Sequence, residues 1–83
     1  MHEIKARLYD IETELEELNS AQKKKIKLLK EEVFSLNDEL FLHTKIAVAK
    51  EIEVFSNELA DICQRILELL EEKKLLKQKL VGG

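Results

Sequence analysis

Between Leu40 and Val48 the chain reads Leu40-Phe41-Leu42-His43-Thr44-Lys45-Ile46-Ala47-Val48, and across this stretch its apolar rhythm changes phase. On the N-terminal side, Ile26, Leu29, Val33, Leu36 and Leu40 recur in alternating steps of three and four. That spacing lines one side of a helix with a narrow apolar seam. On the C-terminal side the seam resumes as Val48, Ile52, Phe55, Leu59, Ile62, Ile66 and Leu69, and ends with Leu76 and Leu80. The two series are out of step by the equivalent of two residues. Such a slip swings the stripe about half a turn around a supercoiled helix, or roughly a quarter turn around a straight one. An unbroken helix would then present opposite faces to its partner on either side of residue 44.

A break removes the conflict. The spacing predicts one domain over residues 1–83, an all-α antiparallel helical hairpin of coiled-coil type. Its first arm covers about 2–41, its turn 42–46 and its second arm about 46–81, with a flexible tail at 82–83. Each arm would be about 55–60 Å long at 1.5 Å per residue, against about 120 Å for an uninterrupted helix. Folded about residue 43, residue i faces residue 86 − i. The lysines 23, 24, 25, 27 and 30 then approach Glu58 and Asp61, while Glu12, Glu14, Glu16 and Glu17 approach Lys73 and Lys74. A parallel in-register pair stacks the lysine block on its own copy and gains little beyond Arg7 with Glu12 and Glu72 with Lys77. Exposed ion pairs are individually weak, so they speak to orientation more than to stability.

Upstream, Ile4, Leu8, Ile11, Leu15 and Leu18 form a further seam, separated from Ile26 by a four-residue stutter with Gln22 at the skipped position. A continuous helix absorbs such a stutter by local unwinding. The chain contains no proline, and its glycines are Gly82 and Gly83. Nothing else along the way compels a helix to stop. The segment 42–46 lacks Gly, Asn, Asp and Pro, so it is a poor turn by chemistry. Better helix-start signals are Asn37 ahead of Asp38 and Glu39, flanked by Leu36 and Phe41 as a hydrophobic staple, and Asn19 with Gln22. Three helices broken near residues 19 and 43 are the competing arrangement.

Eighty-three residues with 45% apolar and 37% charged side chains describe a small chain that must bury a stripe. Chains of this size are marginal unless stapled, metallated or oligomeric. One cysteine and two histidines provide neither a disulfide nor a Cys/His metal cluster. Self-association is the remaining route. Cys63, Leu67 and Leu70 broaden the third seam into a face wide enough for more than two helices. The expected assembly is a homodimer or higher oligomer, a four-helix bundle. Its interface set is Leu29, Val33, Leu36, Ile52, Phe55, Leu59, Ile62, Ile66 and Leu69, with Leu29, Val33 and Leu36 packing on Leu59, Ile62, Ile66 and Leu69.

No catalytic constellation emerges. Glu39 and His43 are four apart, but no second histidine lies near them. Lys23 to Lys30 is the one basic run. Acidic residues bracket it and no aromatic side chain interleaves for base stacking, so nucleic acid is not an expected partner. Cys63 reads as a buried thiol, and Phe34, Phe41 and Phe55 as packing near the turn. Leu40 to Ala49 is too short and too polar to span a bilayer, and the N-terminus has no apolar signal region. A soluble, cytoplasmic location is the resulting expectation, and the net charge of −3 is too balanced for a polyanion binder or an acidic disordered tail. The sequence thus points to a non-enzymatic oligomerisation or protein–protein interaction module without cofactor or metal, paired with itself and with another protein. The alternatives are a parallel coiled-coil rod or spacer of a larger scaffold or tether, and a small regulator or chaperone that docks a partner's groove.

Overall fold

A computed structural model describes residues 2–82. Two helices, α1 (His2–Ser35) and α2 (Leu42–Gly82), lie against each other as an antiparallel hairpin, and the described residues contain no strand. The molecule measures 62 × 15 × 14 Å. Its long dimension is that of α2 alone, about 60 Å for 41 residues at 1.5 Å each. Helix α1 runs through Asn19 and Gln22 without interruption. The stutter is therefore absorbed and the three-helix arrangement is not adopted.

The turn occupies residues 36–41, earlier than the 42–46 expected from the phase change. Its chemistry explains the shift. The Asn37 side-chain oxygen accepts the Glu39 N–H at 2.9 Å, closing a local turn that competes with the helix. The Leu36 N–H donates to the Val33 carbonyl at 3.2 Å, and the Leu40 N–H to the Asn37 carbonyl at 3.5 Å. Leu42 to Ile46 offers no such competitor, so those residues become the first turn of α2. The first helical bond of α2 runs from the Lys45 N–H to the Phe41 carbonyl at 2.9 Å. Asn37 thus shapes the turn rather than capping a helix. The Leu36–Phe41 staple is not made, because Phe41 is 84% exposed. Glu39, inside the turn, shares no helix face with His43. Gly82 closes α2, and the other tail residue, Gly83, lies outside the described residues.

Moving the turn moves the register. A fold about residue 43 sets Arg7 opposite Lys79, whereas the structure sets it opposite Glu72. Two of the expected charge contacts survive the shift, Lys25 with Glu58 and Lys73 with Glu12.

The core is small and lies toward the open end of the hairpin. Ile11 and Leu69 are fully covered and Leu15 nearly so, with Leu18, Ile66 and Leu76 packed around them. Toward the turn the seam loosens, leaving Val33, Phe34, Phe41, Leu42 and Ile46 exposed. The folded chain keeps 6634 Å² of accessible surface. A compact monomer of 9.7 kDa would show about 5,100 Å². Two helices form one layer, and one layer covers only one side of each.

Candidate interaction surface

The surface follows from how the two flanks of the seam are treated. On one flank the Arg7 guanidinium grips Glu72 with both ends of its fork, Nε donating to Oε2 at 2.6 Å and Nη2 to Oε1 at 2.8 Å. Arg65 grips Glu14 in the same way at 2.8 and 3.3 Å. Lys25 reaches Glu58 and also stands 5.0 Å above the Phe55 ring. At 100° per residue Arg7, Glu14 and Lys25 share one side of α1, and Glu72, Arg65 and Glu58 the matching side of α2. Antiparallel helices bring like flanks together, so these pairs close that edge with charge.

The fields follow the pairing. The hydrogen bonds from Arg65 and Arg7 hold the Glu14 and Glu72 carboxyls below their ordinary range. Nearer the turn the sign reverses. A hydrogen bond to the Glu51 carboxyl, with desolvation and the Glu51 charge behind it, pushes Glu32 upward. The turn end therefore combines exposed apolar side chains with a like-charge contact, while the open end holds the covered core and the bidentate pairs.

The opposite flank differs. Among the described residues its one cross-helix ion pair is Lys73 with Glu12 at 3.4 Å. Along that side of α2 runs a second series in steps of three and four: Ala49, Ile52, Ser56, Leu59, Cys63, Leu67 and Leu70, bounded by Lys45 before it and Lys74 and Lys77 after it. This series sits roughly a quarter turn around α2 from the intrachain seam, a consequence of the 100° helical step. Ile52 and Leu59 belong to both and are half-buried, whereas Leu67 is 51% and Leu70 48% exposed. Beyond Leu70 the same side opens into a shallow groove lined by Lys73, Lys74, Lys77, Gln78 and Val81.

The nine residues expected at an interface divide unevenly. Leu69 is spent within the chain, buried with Ile11 and Leu15. Leu29, Ile52, Phe55, Leu59, Ile62 and Ile66 are half-buried, and Val33 and Leu36 are exposed. Within the hairpin, the register carries Leu29, Val33 and Leu36 past the Leu59–Leu69 segment. With Lys25 opposite Glu58, positions further along α1 face residues before Phe55, and Ile66 and Leu69 pack instead against Ile11, Leu15 and Leu18. Ile11 and Leu15, absent from the expected set, are the tightest contacts of α1. Their signal was the regular step of the first seam, which carries as much apolar weight as the later ones.

Two further expectations change. Cys63 is exposed rather than buried, because the hairpin covers the seam and not the second series. Phe34 at 91% and Phe41 at 84% exposure do not pack at the turn, while Phe55 is half-buried beneath Lys25. Among the described residues no three His, Cys, Asp or Glu side chains gather at metal-binding distance, and no helix is long and apolar enough to cross a membrane. No family model, curated protein or solved structure matches the chain.

Proposed function

We propose that this chain is a non-catalytic oligomerisation and protein–protein interaction module: a helical hairpin that joins copies of itself through the uncovered side of α2. The observation that carries this reading is the second apolar series, with Leu67 and Leu70 half-exposed and Cys63 exposed on a helix whose other stripe is already occupied. Contiguous apolar surface of this kind on a small soluble domain marks a contact site. The surface excess over a compact monomer, roughly 1,500 Å², exceeds the approximately 800 Å² that each partner gives to a standard interface. An unbroken parallel rod has no support in a chain that folds back at 36–41.

The test is solution mass. Sedimentation equilibrium at micromolar concentration is expected to give a multiple of 9.7 kDa. Leu67→Asp places a charge in the series without touching the intrachain core, and it is expected to return the protein to a helical monomer. A wild-type monomer with a concentration-independent cooperative melt refutes the proposal.

A further inference from the structure

We infer that the second copy docks face to face and head to tail, α2 on α2 about residue 61 and α1 on α1 about Ser20. This rests on the self-association proposed above and adds its geometry. The series on α2 from Ile52 to Leu70 is centred on residue 61. Antiparallel pairing about that point sets Ile52 against Leu70 of the second copy and Leu59 against its Cys63, with Ser56 the one hydroxyl in the row, beside Leu67. Residue 61 lies between Glu58, opposite Lys25, and Arg65, opposite Glu14, which places the same axis near Ser20 on α1.

Geometry then selects the orientation. The series lies about a quarter turn from the seam, so a two-fold axis perpendicular to the helices puts both α1 helices on the same side and closes a square of four. An axis parallel to the helices, with α2 still on α2, throws the α1 helices to opposite sides and leaves a flat array with one row of contacts. In the closed square the α1 side that meets its copy is the one carrying Glu12, Glu16, Lys23 and Lys30, as the Glu12–Lys73 pair fixes which flank this is. Reversal about Ser20 brings Glu16 within one residue of Lys23 of the second copy and Glu12 within two of its Lys30, offsets of about 1.5 and 3 Å along the helix that lysine side chains span. The acidic half of α1 thus meets the lysine half. Among the described residues Glu16, Lys23 and Lys30 take part in no ion pair within the hairpin.

Spin labels on the Cys63→Ala, Lys79→Cys chain read the arrangement as a distance. Antiparallel docking about residue 61 separates the two labels by about 55 Å, from 18 residues of rise on each side. A dimer with a label separation under about 30 Å overturns this orientation and leaves self-association standing; a monomer overturns both. Charge exchange is the second arm. Glu16→Lys is expected to weaken the dimer about 3–10-fold, as two symmetric exposed pairs are lost, and Glu16→Lys with Lys23→Glu to restore it. Absence of rescue, with helicity retained in both variants, counts against the α1 contact.

Discussion

Leu69→Ala removes three carbons from the most tightly covered point of the hairpin. Leu69 has no accessible surface and touches the cluster of Ile11 and Leu15. At about 0.8 kcal/mol per buried methylene the transfer loss is roughly 2.4 kcal/mol. Leucine-to-alanine changes in cores span about 2–5 kcal/mol, and the spread reflects how far the site collapses. Here the neighbours Leu18, Ile66 and Leu76 are half-buried side chains on a single two-helix layer, free to move inward, so the cavity term is small. The expected cost is therefore about 2–3 kcal/mol, the low end of that range. Leu75→Ala, at a position 59% exposed on the outer side of α2, is the control and is expected within about 0.5 kcal/mol of wild type. Urea unfolding followed by far-ultraviolet circular dichroism, at one fixed protein concentration, measures both. If the two variants unfold alike, the buried cluster is not what holds the arms together.

Leu70→Ala acts on the second series. Covering the remaining half of this side chain is worth about 1 kcal/mol per chain, so the dimer should dissociate about 30-fold more readily by sedimentation equilibrium, with little change in monomer helicity. Asn37→Ala removes the acceptor of the Glu39 N–H and is expected to cost about 0.5–1 kcal/mol in the same urea assay, without loss of the hairpin. Glu32 and the pair Glu14 and Glu72 respond to pH in opposite senses. Glu14 and Glu72 are lowered in the folded state, so they contribute stability above the ordinary glutamate value of 4.5 that is lost as pH falls through their folded values. Glu32 is raised, so its contribution is complete below 4.5 and is lost as pH rises through its folded value. Glu32→Gln is accordingly expected to raise the melting temperature at pH 7 and leave it unchanged near pH 3, whereas Glu72→Gln lowers it at pH 7.

The hairpin was legible because phase is a property of the whole chain. Two seams out of step across Leu40 to Val48 cannot share a straight helix, whatever their individual residues do, and the acidic and basic blocks agreed on the antiparallel sense. The position of the turn was less legible because phase marks only where the two seams stop agreeing, Leu40 to Val48. The chain opens earlier, at 36–41, where the Asn37 turn competes with the end of the second seam and outweighs a count of arm lengths. The register followed the turn, which is why Arg7 found Glu72 while Lys25 still found Glu58. The division of labour on α2 was harder still. A broad apolar face looks the same in sequence whether one partner or two cover it. Only a hairpin register that sets Ile66 and Leu69 against Ile11 and Leu15 shows that Cys63, Leu67 and Leu70 are left over. The same logic accounts for the contrast between the flanks. Charge closes the edge on which Arg7, Glu14 and Lys25 lie, whereas the other edge combines the uncovered Cys63, Leu67 and Leu70 of α2 with the charged Glu12, Glu16, Lys23 and Lys30 of α1, the surface on which the second copy is proposed to dock. A helix pair equally apolar on both edges would pack indiscriminately; closing one edge with bidentate arginines leaves the other as the proposed place to add a neighbour.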